Sequence, residues 1–421
     1  MTSSDTSPFN RTVQHDAKRA AILGQAAKLF NTRGSRATTL LDIAQELGLT
    51  KTSLYYYVKT KEDLIYQCYQ ASCDTILADL KHISAKPISG LEKVVTNIRH
   101  HFRYNHEVRI GKRPHSAVLL EIASLREDHR NTIESRYVEL FKHVREFLRE
   151  GIADGSIDTR CEPNATTIAL MGTQEWMFNW QYKTAIKDIV ALTEATCDLI
   201  RHGLSNSTTR HEPSPLPPRE ESRIDHGFDR DHQNRLKQEA FYKTGTRFFN
   251  IKGFKGTSLD EIAETLNVTK GAFYYHIKNK DDLLLECYKR SMAIGDTILE
   301  EASQEPTGLL RIERHCRQSF VVQNSDQGPL IRYTSVVSLP VEQRRQVMEQ
   351  TDRSNAQLGR FIAEGIADRS IRDTNVMVAQ ELLAGAVNAS MELDKWRSLD
   401  DLNQASIDYF SLLINGLAPR P

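Results

Sequence analysis

The stretch Thr38–Tyr69, TTLLDIAQELGLTKTSLYYYVKTKEDLIYQCY, realigns without a gap on Thr257–Tyr288, TSLDEIAETLNVTKGAFYYHIKNKDDLLLECY, with 15 of 32 positions identical. The relation extends outward. Upstream, Phe30-Asn31 matches Phe249-Asn250 and Gly34 matches Gly253. Downstream, Glu150–Asp154 matches Glu364–Asp368, Gly172 matches Gly385, and Gly203-Leu204 matches Gly416-Leu417. The chain is therefore two head-to-tail copies of one unit of roughly 190 residues, too long a period for a solenoid repeat. Periodic apolar positions such as Leu140, Val144, Phe147 and Leu148 recur at helical spacing, and strand-like alternation is nearly absent, so the expected fold class is all-α.

Within each repeated block, Thr39 with Asp42 and Ser258 with Glu261 are capping-box pairs that open a helix. That helix carries Leu40, Ile43, Ala44 and Leu47 on one face, matched by Leu259, Ile262, Ala263 and Leu266. Gly48 or Asn267 then supplies a residue tolerant of positive φ. Thr50 or Thr269 caps a second short helix, expected over Lys51–Val58 and Lys270–Ile277, with Leu54 and Val58, or Phe273 and Ile277, facing inward. Two short helices around a tight turn are a helix-turn-helix. The outward face of the second helix bears Lys51, Thr52, Ser53, Tyr55 and Tyr56 in one copy and Lys270, Gly271, Ala272, Tyr274 and Tyr275 in the other. Exposed aromatics, hydroxyls and lysine on a narrow helix suit a DNA major groove with its phosphate rims. The next helix opens at Lys61 or Lys280, where free amides and an ammonium form an expected phosphate clamp.

Charge agrees with this placement. The formal net charge is +0 over 421 residues, which argues against a protein that coats nucleic acid indiscriminately. Arg11–Leu64 nevertheless holds nine Lys/Arg against five Asp/Glu, and Arg230–Leu283 ten against seven. The positive surface is local to the two motifs.

These blocks resemble the DNA-binding region of the TetR (tetracycline-repressor) family of bacterial regulators, strongly over the first four helices of each copy and weakly through the rest. The resemblance implies an N-terminal three-helix DNA-binding domain joined to a helical domain that binds a small effector and dimerises. It implies a phosphate-contacting role for Thr38 and Thr257, and DNA contact at the lysines, tyrosines and helix-start residues named above. The tandem arrangement departs from the family pattern of one copy per chain, which leaves open an intramolecular pseudo-dimer or a homodimer.

The expected organisation is a disordered segment 1–14, helix-turn-helix domains 15–70 and 233–289, helical effector and dimerisation domains 71–204 and 290–418, and a linker 205–232. The linker's start, SNSTTRHEPSPLPPREESR, is rich in proline and charge and reads as semi-extended. Candidate effector-pocket residues are His101, Tyr104, Trp176, Trp180, Tyr333 and Trp396. The spacing of His100, His101 and His106 fits no standard ligand set, so no metal and no cofactor are expected. Six scattered cysteines without a CxxC pair, and the lack of a long apolar run, fit a cytoplasmic protein away from membranes. No nucleophile elbow, phosphate loop or HExxH helix is found, so an enzyme is not expected. The expected partners are a double-stranded DNA operator and a small-molecule effector, repression being the family's common mode. A protein-interaction module with degenerate motifs is the alternative, with an all-α enzyme behind it.

Overall fold

The structure is a computed structural model that describes residues 8–119, 122, 125–181, 188–216, 230–390 and 400–420. For residues 8–14, 36, 178–181, 230–232 and 334 the description covers only the backbone. It is built from helices, and the only β pairing among the described residues is an isolated bridge between Ser205 and Ile371.

The first copy runs α1 (Pro8–Ala37), α2 (Leu40–Glu46), α3 (Lys51–Tyr55), α4 (Lys61–Ser84), α5 (Gly90–Arg109), α6 (Glu127–Ala153), α7 (Pro163–Gln181) and α8 (Ile189–His202). The second runs α9 (Arg230–Gly256), α10 (Leu259–Thr265), α11 (Lys270–His276), α12 (Lys280–Ser303), α13 (Gly308–Gln323), α14 (Val341–Ala367), α15 (Val376–Ala389) and α16 (Leu402–Asn415). A short 3-10 turn, Tyr333–Ser338, precedes α14.

Two expectations about order are corrected. The backbone is helical from Pro8, not irregular through residue 14; proline suits a first helical position because its missing N–H has no partner there. The segment after α8 is not a loose tether up to residue 216, as shown below. The compact units also cut across the expected boundaries. One comprises residues 1–81 with 103–140, the other 82–102 with 141–421. The reason is continuity: α4 runs unbroken through the expected border at residues 70 and 71, and α5 and α6 each have residues in both units.

In the first unit, Ile22, Ala26, Phe30, Ile43, Ala44, Leu54, Val58 and Leu64 form one buried cluster. In the second, Phe241, Phe249, Ile262, Ala263, Phe273, Ile277 and Leu283 repeat it. The turn residues take the left-handed conformation that their side chains tolerate, Gly48 at φ 63° and Asn267 at φ 52°.

The second unit contains the pairing of the two copies' last helices. α7 packs along α15, and α16 packs on α7 and α8. Small residues set the approach: a Cβ on Gly172 would lie 2.1 Å from Ala389 Cβ, and one on Gly385 would lie 2.7 Å from Trp176 Cβ. The main chain is joined in matched pairs. Asp158 N donates to Leu417 O at 2.9 Å and its counterpart Arg372 N to Leu204 O at 3.0 Å. Leu417 N donates to Ile200 O at 3.0 Å and Leu204 N to Leu413 O at 2.9 Å. Each of these four bonds has its mate, which is the signature of a pseudo-twofold within one chain.

Ser205 and Asn206 pair with residues 369–371, and residues 210–214 are laid on α13 and α16. His211 N bonds Asn415 Oδ1 at 2.8 Å, and Ser214 N bonds Glu313 Oε1 at 3.1 Å. The buried Arg317 donates to Ser214 O at 2.6 Å and pairs with Glu313. A buried guanidinium requires such saturation, since an unpaired one costs several kcal/mol.

Candidate nucleic-acid interface

Each helix-turn-helix is built by its caps. Thr39 Oγ1 accepts from Asp42 N at 3.1 Å while Asp42 Oδ2 accepts from Thr39 N at 2.7 Å, closing the box. Thr50 Oγ1 accepts from Ser53 N at 3.1 Å, and Thr269 Oγ1 from Ala272 N at 3.2 Å. Leu54 and Phe273 anchor the inner faces. The first recognition helix is shorter than expected, ending at Tyr55 rather than Val58.

The outward residues lie where the sequence put them. Lys51, Thr52, Ser53, Gly271 and Ala272 are exposed. Tyr56 and Tyr275 are 77% and 84% exposed, while Tyr55 and Tyr274 are 45% and 44% exposed with part of each ring against the protein. Tyr56 stands edge-on to Tyr57 at 5.3 Å between centroids, and Tyr275 edge-on to His276 at 5.1 Å. A Cβ on Gly271 would meet nothing within 4 Å, so the second helix offers an open notch where the first has a threonine.

Four assignments change. Thr38 and Thr257 are buried, with hydroxyls donating to Gly34 O at 2.9 Å and Gly253 O at 2.7 Å. They close the kink where Gly34 and Gly253 turn to positive φ, 78° and 65°, so the side chains are turned away from a phosphate. Lys61 and Lys280 also point inward. Lys61 Nζ donates to Ser35 O at 2.8 Å and Thr38 O at 3.0 Å; Lys280 Nζ donates to Thr257 O at 2.9 Å and lies over the Phe254 ring at 4.6 Å. These ammonium groups tie the start of α4 or α12 to the turn before the motif, satisfying carbonyls left over at a helix end.

One residue at this surface escaped the sequence reading. Asp260, on α10, accepts from Lys270 Nζ at 2.6 Å and from Tyr274 OH at 3.1 Å. The Lys270 contact holds the Asp260 carboxyl below its ordinary range, and Asp260 in turn raises Lys270. At the matching position the first copy has Leu41, 48% exposed, and Lys51 lies instead 5.7 Å from the Tyr55 ring. The signal was present in the alignment as an acid opposite a leucine.

Of the candidate effector residues, Trp176 and Tyr333 come together at the pairing of the copies, their rings edge-on at 5.1 Å, with Trp176 Nε1 donating to Glu381 at 2.9 Å. His101 is buried against the Gln174 backbone, its burial pulling the imidazole down to about 4. Tyr104 belongs to the first unit, where its hydroxyl meets Ser116 and donates to Pro114 O at 3.2 Å. Trp180 lies on α7 with only its backbone described, and Trp396 lies outside the described residues. Among the described residues no cluster of three His, Cys, Asp or Glu could hold a metal ion, and no helix is long and apolar enough to cross a membrane.

Paired helix-turn-helix units with aromatic and basic recognition faces, on an all-helical scaffold, define a DNA-binding transcriptional regulator. Residues 22–68 and 242–287 both match the profile of "Bacterial regulatory proteins, tetR family", and residues 89–204 match "Tetracyclin repressor-like, C-terminal domain". The chain belongs to the tetR family, with the DNA-binding block present twice. Among its relatives, the transposon Tn10 TetC protein of Escherichia coli is 29% identical over 28% of this chain and 60% of its own length. The transcriptional repressor KstR2 of Mycolicibacterium smegmatis is 28% identical over 34% of this chain and 69% of its own. A solved structure, the TetR family regulator PfmR of Thermus thermophilus, is 24% identical with TM-score 0.37, over 42% of this chain and 95% of that one. The alignments span just 60% of the TetC relative, and each of these proteins is roughly half as long as this chain.

Proposed function

We propose that this chain reads an operator of two unequal halves as an intramolecular pseudo-dimer, represses transcription there, and is released by a small-molecule effector. The observation that carries the reading is the matched main-chain pairing of Asp158 with Leu417 and Arg372 with Leu204, which joins the two copies within one chain. Two-fold regulators present one recognition helix twice to a palindrome. Here the helices differ: hydroxyls of Thr52 and Ser53 can bond base edges, whereas Gly271 and Ala272 allow close approach or contact with a thymine methyl. Repression is taken from relatives such as the transcriptional repressor KstR2. DNA contact is assigned to Thr50, Lys51, Thr52, Ser53, Tyr55 and Tyr56, with Thr269, Lys270, Gly271, Ala272, Tyr274 and Tyr275. The working domain boundaries are those of the repeat, and the site of action is the cytoplasm, where the operator DNA would lie. Footprinting of genomic fragments selected by the purified chain tests the reading. An imperfect palindrome with one half altered by exchanging Thr52-Ser53 for Gly-Ala supports it; a symmetric footprint indifferent to that exchange contradicts it.

A further inference from the structure

The same set of bonds recurs inside each copy around its first and fourth helices, so the two copies can be matched there residue by residue. Cys68 Sγ lies 3.5 Å from Leu23 O and Cys287 Sγ 3.3 Å from Tyr242 O. Asn31 Nδ2 donates to Ser116 O and Asn250 Nδ2 to Leu330 O, both at 2.8 Å. Ser72 Oγ accepts from Ala117 N and Ser291 Oγ from Ile331 N, both at 2.9 Å. Amid these shared anchors the copies differ in kind at two positions. In the second copy Arg290, nearly buried, pairs with Glu239 at 2.7 Å and donates to Gln327 O at 2.6 Å and Pro329 O at 3.1 Å. The matching residues in the first copy are Ala20 and Ala71. Both line a cleft of about 300 Å³ between α1, α4 and residues 114–116.

We infer that this cleft of the first copy is a binding site for a small organic cation, a guanidinium or amine on a short apolar body, occupying the place the second copy fills with its own arginine. The second copy demonstrates the chemistry, holding a guanidinium on two main-chain carbonyls and one carboxylate. In the first copy His115, the counterpart of Pro329, lines the cleft. Asp16, one helical turn before Ala20 and 3.6 Å from His15 Nδ1, stands at the mouth as the carboxylate of the cleft. Leu23, Ala27 and Cys68 provide an apolar floor, as a site for a small amphipathic ligand requires. Arg19, also at the mouth, is engaged by Gln67 Oε1 at 2.9 and 3.2 Å. Because α1 and α4 frame the first helix-turn-helix, an occupant would act on that motif alone.

Titration calorimetry of the full chain with benzamidine, and with benzoate as the anionic control, tests the site without DNA. The expected result is one benzamidine per chain and no benzoate. Ala20→Glu, at an exposed position, restores the acid of the second copy and is expected to tighten benzamidine by about three- to tenfold. Ala71→Arg imports the plug and is expected to weaken it more than about tenfold, while Arg290→Ala, with Glu239 kept as the acid, opens the second cleft and raises the stoichiometry to two. Absence of benzamidine binding at millimolar concentration, preference for benzoate, or indifference to both Ala20→Glu and Ala71→Arg would overturn the inference. Failure of the wild-type chain to shift operator DNA would sink the regulator reading and leave this measurement untouched.

Discussion

Lys270 on the second recognition helix is held at 2.6 Å by Asp260 of the preceding helix, whereas the matching pair in the first copy is Lys51 and Leu41, with no acid at that position. The two motifs therefore present different electrostatics to DNA although their folds repeat. An ammonium already paired with a carboxylate releases fewer counterions when it meets a phosphate.

Replacing Asp260 by Leu frees Lys270 and removes a negative charge beside the groove. Affinity for all DNA sequences should rise, and the log–log salt slope should steepen by about one unit. Discrimination at the second half-site should fall, because Tyr274 loses the acceptor that orients its hydroxyl. Filter binding from low to moderate salt checks this; an unchanged slope contradicts it.

Lys61 and Lys51 should separate by the same measurement. Lys51→Ala removes an exposed charge and should flatten the slope by about one unit. Lys61→Met leaves the slope nearly unchanged and instead lowers thermal stability, because Ser35 O and Thr38 O lose their donor. Equal slope changes in both variants would return Lys61 to the phosphates.

The contact between α7 and α15 depends on absent side chains. Gly385→Val places carbon against Trp176 and Thr173, and overpacking of this sort costs about 1–3 kcal/mol. Calorimetry should show a lowered Tm together with weaker operator binding. A variant as stable as the wild type would mean that the copies are not packed there.

Acid should loosen the second unit through two buried histidines. Burial holds His101 and His315 each at about 4, against an ordinary 6.5. The unfolded chain then binds more protons between pH 6.5 and about 4, so stability is full above that window and is lost as the pH falls through it. The loss is on the order of 1.4 kcal/mol per histidine per pH unit. Chemical denaturation at pH 7 and pH 5 should show a smaller drop for a His101→Leu, His315→Leu double variant, and an equal drop would remove these groups from the account.

Much of this architecture was legible from residues alone. Capping pairs, the left-handed turn at Gly48 and Asn267, and the outward tyrosines follow from local chemistry, which acts over a few positions. The inward turn of Lys61 was not legible, because a lysine at a helix start is equally suited to a phosphate and to the carbonyls of a preceding turn 23 and 26 residues away. Thr38 was misjudged for a related reason: the kink at Gly34 turns its hydroxyl onto a carbonyl. The proline-rich segment after α8 reads as a free tether in composition, yet His211 and Ser214 find partners on Glu313, about 100 residues ahead.

The most direct test of the pseudo-dimer is the mass of the protein–DNA complex, measured by light scattering on the minimal footprinted duplex. One 48.0 kDa chain per duplex, protecting two unequal half-sites, is the predicted result. Two chains on a symmetric duplex, each protecting its half with the same copy, would contradict it.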